Sequence, residues 1–236
     1  MRKFSVQSVG GCPGLPALVT LLLCSCLLSL YQPAAFAQTG AEKEGRRAAV
    51  RFVPDGDTVV LASGEVVRLL GIDAPEMGKG GAPKQFYAVQ SRDALASLVM
   101  GKEIHVMSGT PSKDRYGRTL ARLFLPQGSS VDEILVSEGY AMVYWHADVP
   151  RSVFENLLEL QRDAVKKRMG MWQAVDEISK RRDTFVGNRK SKRIFTLKCD
   201  GAGQIAAKNR VVFRSVEDAL DMGFAPARHC GIWPDQ

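Results

Sequence analysis

The sequence VVRLLGIDAPE, residues 66–76, decides the fold. An apolar run with one arginine, Arg68, is typical of a strand, and Pro75 stops that strand from continuing. A buried arginine requires an anionic partner. Asp73 and Glu76 place two carboxylates where the strand ends. The stretch therefore predicts a strand that ends in a site for both an anion and a cation.

Further short strands and helices surround this stretch. Strands are predicted at residues 48–53, 58–61, 66–70, 104–107 and 120–125. Helical spacing of apolar residues predicts helices at 84–100, 131–138 and 150–169. Five short strands with a helix inserted among them are compatible with an OB-type barrel. We therefore expect an α+β fold, a five-stranded OB-type β-barrel with packed helices.

The composition changes after residue 173, which divides the expected domains. We expect an OB domain at 48–173, a basic linker at 174–184 and a small module at 185–236. Strand patterns at 194–197 and 211–214 precede a helix at 215–222, so the module is expected to be β-β-α. The basic linker is either a solvated spacer or a non-specific contact for nucleic acid.

The first 37 residues are expected to be a secretory signal peptide. Arg2 and Lys3 precede an apolar run, and Ala35-Phe36-Ala37 is typical of a cleavage site. An uncleaved anchor and a lipoprotein signal are the alternatives. Cleavage lowers the formal net charge from +7 to +5, because the segment holds two basic residues and no acidic one. The remaining excess of positive charge suits a polyanionic partner. We expect export to the periplasm or the medium.

Two groups of charged residues could carry chemistry. Asp57, in the sequence Asp-Gly-Asp-Thr, joins Asp73 and Glu76 as hard oxygen donors suited to Ca²⁺; the alternative is an ordinary turn with solvated acids. Arg68 and Arg118 could bind a phosphate bidentately and neutralise charge that develops on it. The alternatives are a salt bridge for Arg68 and a solvated loop position for Arg118.

Three ordered motifs resemble the signatures of the staphylococcal nuclease family: Asp-Gly-Asp-Thr at 55–58, Arg-Leu-Leu-Gly-Ile-Asp-Ala-Pro-Glu at 68–76 and Asp-Arg-Tyr-Gly-Arg at 114–118. The resemblance covers residues 48–172. It implies an OB barrel and Ca²⁺-dependent hydrolysis of phosphodiester bonds in DNA and RNA.

The resemblance also implies roles for individual residues. Calcium is expected at Asp57, Asp73 and the backbone carbonyl of Ala74, and Glu76 matches the general base. Arg68 and Arg118 match the phosphate-binding pair of the family. Substrate binding is expected at Asp114, Tyr116, Tyr144 and Trp145. Core packing is the alternative for the last two, whose match to the family's aromatic positions is inexact.

The C-terminal tail resembles a degenerate Ada-like zinc-binding module. Ala227 stands where that module has a closing cysteine, so a four-ligand zinc site lacks a member and zinc is not expected. Cys199 and Cys230 are the two cysteines that remain after signal cleavage, and an even count in an exported chain favours a disulfide.

The sequence thus predicts an exported calcium-dependent nuclease that acts on DNA and RNA. A non-catalytic nucleic-acid-binding OB module is the main alternative, and a small phosphate-ester hydrolase is another. After cleavage of the signal we expect a monomer with no stable membrane association.

Overall fold

The structure is a computed structural model, and it describes residues 45–78, 80–181 and 183–234. The expected signal peptide at 1–37 lies outside these residues. The strands are β1 (Arg46–Asp55), β2 (Thr58–Leu61), β3 (Val66–Leu69), β4 (Ile72–Asp73), β5 (Glu103–Lys113), β6 (Thr119–Phe124), β7 (Met142–Val143), β8 (Phe185–Asn188), β9 (Arg193–Thr196), β10 (Arg210–Phe213) and β11 (Ala225–Pro226).

The helices occur between these strands. They are α1 (Ala88–Val99), α2 (Val131–Ser137), α3 (Arg151–Lys166), α4 (Val175–Lys180), α5 (Asp200–Gly203) and α6 (Val216–Asp221). Two 3₁₀ turns, Gly170–Ala174 and Ala207–Asn209, follow α3 and α5 respectively. None of the helices in the described ranges is long and apolar enough to cross a membrane.

The first five long strands close into a barrel with the order β1-β2-β3-β6-β5. Strands β3 and β6 pair in parallel, and the other neighbours are antiparallel. Alternate residues of β6 are buried, as a barrel strand with one inward face requires. The α+β class with an OB-type barrel and packed helices is confirmed.

Helix α1 packs against the barrel core through Leu95 and Val99, both fully buried. Ser91 of α1 donates a hydrogen bond to the carbonyl of Tyr140 at 2.6 Å. Helix α2 begins at Ser130, whose side chain accepts from the backbone N–H of Glu133. The helices thus bury the apolar interior and leave the ends of β3 and β6 open on the other side.

The tail forms a sheet of four strands, in the order β10-β8-β9-β11. The expected β-β-α pattern is present as β9, β10 and α6, and β8 and β11 extend it. Strand β11 pairs in parallel with β9, which places Pro226 beside Ile194. The sheet is therefore larger than the sequence pattern indicates.

A second apolar core joins this sheet to the preceding helices. Trp172 and Ile178 are buried with Phe185 and Phe224 in one cluster. Helix α4 lies inside the segment expected as a linker. All described residues belong to one compact unit, Glu42–Gln236. The domain boundaries proposed above stay a prediction.

Candidate active site

The candidate site lies in a groove of about 760 Å³ at the open end of β3. One wall comes from the barrel and its loop at 113–118, and the other comes from the C-terminal sheet. Its charged and aromatic lining includes Arg68, Asp73, Glu76, Asp114, Tyr116, Arg118, Tyr144, Arg193 and Arg228. The groove therefore contains most of the charged residues predicted from the sequence.

Strand β3 positions Arg68 by its alternation. Val67 and Leu69 point into the barrel core, so Arg68 lies on the opposite face. Its Nη1 donates to the carbonyl oxygens of Leu69 and Ile72 at 3.0 and 2.9 Å. Only 11% of its side chain is exposed. This guanidinium is held rigidly at the mouth of the barrel.

Asp57 and Asp73 meet at the same nitrogen of Arg68. Nη2 lies 2.9 Å from Asp57 Oδ2 and 3.1 Å from Asp73 Oδ1. The short pairing of β4 with β7 places Asp73 here, with Asp73 opposite Met142. The left-handed Gly71, with φ of 82°, allows the turn between β3 and β4. Residues that are distant along the chain thus form a compact charged cluster.

Asp57 is fixed by its backbone neighbours as well. Its Oδ2 accepts the backbone N–H of Ala74 at 2.7 Å, and its Oδ1 accepts the Thr58 hydroxyl at 3.0 Å. Burial raises the pKa of Asp57 to about 7, against the opposing charge of Arg68. Asp55, through its nearby charge, adds to the rise. A cation near this carboxylate would favour its ionised form.

The charge environment of Asp73 is different. Burial alone would raise the pKa of Asp73, but Arg193, Arg68 and Arg228 together hold this pKa below its usual value. Arg193 Nη2 lies 2.6 Å from Asp73 Oδ2, and Arg228 binds Asp73 Oδ1. Three guanidinium groups therefore keep Asp73 ionised.

Glu76 lies at the rim of the groove, where a third of its side chain is exposed. Its backbone N–H donates to the side-chain amide oxygen of Gln85 at 2.9 Å, which fixes the main chain. Its carboxylate is paired with Nη1 of Arg228. A carboxylate at this exposed edge can reach a water molecule and a substrate.

Asp114 organises the loop that presents Arg118. Its carboxylate accepts the backbone N–H groups of Tyr116 and Arg118 at 2.9 and 3.0 Å, and Nε of Arg118 at 2.8 Å. Burial alone would raise the pKa of Asp114, but these hydrogen bonds outweigh burial and lower that pKa below its usual value. Tyr116 is 68% exposed and lies under the guanidinium of Arg115. The loop therefore offers an arginine and an aromatic face to the groove.

The predicted calcium ligands are suited to a hard cation in their chemistry. Oxygens of Asp57 and Asp73 both contact Nη2 of Arg68, which lies between them, and the backbone N–H of Ala74 donates to Asp57. Within 45–78, 80–181 and 183–234, no three His, Cys, Asp or Glu side chains are arranged as a ready-made metal cluster. The two carboxylates have the hard oxygen chemistry that calcium takes, and an ion bound by both would displace Nη2 of Arg68 from between them.

Comparison with known proteins identifies the family. The model of the family described as "Staphylococcal nuclease homologue" matches residues 66–174. An "Uncharacterized endonuclease" from Escherichia coli is 37% identical over 131 residues, which cover 53% of this chain and 76% of the relative. The chain belongs to the staphylococcal nuclease family. The expected enzyme class, a phosphodiesterase, is confirmed with it.

Two other relatives extend the comparison. A thermonuclease from Staphylococcus intermedius is 29% identical to this nuclease over 143 residues, 58% of this chain and 83% of the relative. "Uncharacterized protein MJ1439" from Methanocaldococcus jannaschii is 30% identical over 210 residues, which cover 73% of this chain and 95% of the relative. Similarity to this last protein therefore extends over a larger share of the nuclease than the family model covers.

The two predicted aromatic residues are placed differently. Tyr144 lines the groove, and Arg193 lies over its ring at 4.7 Å. Trp145 instead packs edge-on against Phe154, 4.9 Å between ring centroids, beside a separate groove. Alternation along the chain turns these neighbours to opposite sides. The structure does not bring Trp145 to the candidate site.

Sequence reasoning missed two arginines of the C-terminal tail that lie in the candidate site. Arg193 and Arg228 contact Asp73 across 120 and 155 residues of chain. Each occurs in a segment rich in basic residues or turns, where no local pattern distinguishes it from a solvated residue. The disulfide between Cys199 and Cys230, with Cα atoms 5.3 Å apart, links the residue before α5 to the segment that follows β11.

Proposed function

We propose that this nuclease is an exported, calcium-dependent enzyme that hydrolyses phosphodiester bonds of both DNA and RNA. The observation that carries the proposal is the groove in which Arg68, Asp73, Glu76 and Arg118 line a common wall. Carboxylates for a cation and guanidinium groups for a phosphate are the parts that phosphodiester hydrolysis requires.

Asp57, Asp73 and the carbonyl of Ala74 would hold the calcium ion. When bound, the ion supplies Lewis-acid polarisation of a phosphate oxygen and orients a water molecule. The hard oxygen donors support calcium over a softer metal. The fixed position of Asp57, through Thr58 and Ala74, keeps the donors in place before substrate binds.

Glu76 acts as the general base at its carboxylate oxygens. It orients the attacking water and accepts a proton from it as the water oxygen bonds to phosphorus. The bond from phosphorus to the leaving oxygen breaks on the opposite side, and that oxygen takes a proton from solvent to leave as an alcohol. The partial exposure of Glu76 at the groove rim gives it access to that water.

Arg68 and Arg118 stabilise the negative charge that accumulates on the phosphate. Arg68 is anchored by two backbone carbonyls, and Arg118 by Asp114 through Nε. Asp114 holds Arg118 through Nε and so leaves its terminal nitrogens for a phosphate, whereas Nη2 of Arg68 would be released to a phosphate by a cation bound at Asp57 and Asp73. Both roles concern the phosphate, which DNA and RNA share, and this supports activity on both.

Export of a monomer is part of the proposal. The expected signal peptide and the Cys199–Cys230 disulfide both suit an oxidising compartment. No stable association with a membrane is proposed for the mature enzyme.

One experiment tests the proposed activity. The purified chain is incubated with linear DNA and with RNA in Ca²⁺, in excess chelator, and as the variant Glu76→Gln. We expect cleavage of both polymers by the wild type in Ca²⁺ alone, with a loss of at least 100-fold in the variant. Binding without cleavage would instead support a non-catalytic nucleic-acid-binding module. Equal cleavage in all three conditions would refute the mechanism.

A further inference from the structure

The second wall of the groove carries two arginines that the proposed mechanism has not used. Arg193 begins β9, and Arg228 follows β11, so the parallel pairing of these strands brings the two residues to one sheet edge. Both side chains reach across to Asp73 on the barrel. The C-terminal sheet therefore contributes charge directly to the candidate active site.

Arg228 has N–H donors that its contacts with the carboxylates do not use. It bridges the predicted calcium ligand and the predicted base, with Nη2 on Asp73 and Nη1 on Glu76. An arginine has five N–H donors, and these two contacts leave three. About a third of its side chain, 32%, is exposed, and it lines the groove with Arg118. Arg228 can therefore keep its carboxylate contacts and still meet an anion in the groove.

Arg193 is held more tightly than Arg228. Its Nη1 donates to the carbonyl of Pro226 at 3.2 Å, its Nη2 binds Asp73, and its guanidinium lies over Tyr144. Pro226 is two residues before Arg228, so the Arg193 contact fixes the chain that carries Arg228. The disulfide at Cys230 restrains the same chain from the other side.

We propose that Arg228 binds the substrate phosphate as a third arginine of the active site and that Arg193 is its positioning residue. The proposal rests on the proposed function. A phosphate in the groove would lie beside Asp73 and Glu76, where an unassisted anion would be repelled. A guanidinium between these carboxylates lowers that repulsion and offers charge-assisted hydrogen bonds.

The charge balance of the groove favours this role over a purely structural salt bridge. Arg68 is already committed to Asp57, Asp73 and two carbonyls. Arg228 is the more exposed of the two tail arginines that contact Asp73, so its remaining donors can meet an incoming phosphate even without a bound cation.

Binding of a single-stranded DNA 20-mer in chelator gives a test that needs no cleavage. Each phosphate contact to a single strand contributes about 0.7 to the slope of log affinity against log salt concentration. We expect Arg228→Ala to lower that slope by about 0.7 and the affinity by about 10- to 100-fold. The matched control is Arg214→Ala, an exposed arginine directly after β10, which should bind as the wild type does.

Kinetics separate the two roles. In Ca²⁺, Arg228→Ala should lower kcat/KM on DNA by about 10- to 100-fold. Arg228→Lys should recover only part of this loss, because lysine keeps the charge and lacks the bidentate fork. Arg193→Ala should lower kcat/KM in the wild-type background and have little effect in the Arg228→Ala background. Such non-additivity is expected of a residue that acts through Arg228.

The outcomes that overturn the proposal are distinct. Equality of Arg228→Ala and Arg214→Ala in salt slope would mean that Arg228 does not touch the phosphate. Faster cleavage and tighter Ca²⁺ binding by Arg228→Ala would show an inhibitory contact instead. If the wild type binds DNA but never cleaves it, the proposed function fails while the salt slope still decides this proposal. Thermal unfolding of each variant identifies misfolding, and Arg228→Lys then supplies the comparison.

Discussion

Gly56, between the two aspartates of its turn, lies where a side chain has no room. A Cβ atom there would meet Cβ of Ser91 at 2.7 Å and Cβ of Ala74 at 2.8 Å. We expect Gly56→Ala to lower the free energy of unfolding by about 1–3 kcal/mol through this overlap. Gly203→Ala, with no atom within 4 Å of its new Cβ, is the control and should not be destabilised; as a helical Gly→Ala change it should gain up to about 1 kcal/mol. Urea denaturation measures both, and equal midpoints would contradict the prediction.

Asp114 should make the loop at 114–118 sensitive to acid. Its folded-state pKa is depressed, so the stabilisation from its hydrogen bonds is present above the unfolded value of 3.8 and is lost as the pH falls through the folded pKa. The difference in melting temperature between wild type and Asp114→Asn should therefore be constant from pH 7 to about 5 and shrink below about 4. A difference that persists at pH 2 would contradict this assignment. Glu155→Gln, at an exposed pair on α3, is the control.

Residues that depend on local sequence were predictable, and those that depend on distant contacts were not. Asp57, Arg68 and Asp73 occur in motifs whose spacing indicates their chemistry, and the structure brings them within hydrogen-bonding distance. Arg193 and Arg228 reach the same cluster only because β9 and β11 pair in parallel. That pairing joins residues more than thirty positions apart, so no window of the sequence contains it.

Among the elements, the sequence predicted the bounds of clearly alternating strands to within a few residues. It did not predict the two-residue strands or the full length of the longest strand. Strand β2 was predicted at its observed bounds. Strand β5 runs from Glu103 to Lys113, well beyond the expected 104–107, because its polar second half pairs with β6 past a register shift. Strands β4 and β7 have two residues each, too few to give a periodic signal. Yet β4 is the element that positions Asp73.

Helix α6 depends on its N-terminal cap. The Ser215 hydroxyl accepts the backbone N–H of Asp218 at 3.0 Å, as the capping pattern in the sequence predicts. We expect Ser215→Ala to lower the free energy of unfolding by about 1 kcal/mol. Ser152→Ala, at an exposed position near the start of α3, is the control and should be neutral. Chemical denaturation of both variants gives the comparison, and an unchanged Ser215→Ala would mean that solvent satisfies the N–H equally well.

At the scale of the molecule, the tail and the barrel helices share a core. The rings of Trp172, from the 3₁₀ turn after α3, and Trp233, from the tail, lie 5.7 Å apart. The buried Val175 and Ile178 of α4 belong to the same cluster. The linker was expected here from the charge of the segment, and Val175 and Ile178 lie three residues apart among its charged residues. A shared core predicts that barrel and tail unfold together.

Removal of the disulfide tests this cooperativity. Cys199 and Cys230 are 31 residues apart, and the closed loop contributes roughly 3–4 kcal/mol to the free energy of unfolding. We expect Cys199→Ser/Cys230→Ser to lower the stability of the whole unit by about that amount, because the tail cannot loosen without exposing the core around Trp172. Tryptophan fluorescence and far-UV circular dichroism should then report one coincident, shifted transition. Reductant should shift the wild type in the same direction and leave the double variant unchanged. Two separate transitions would show instead that the tail unfolds alone, and Arg228 would then leave the active site before the barrel opens.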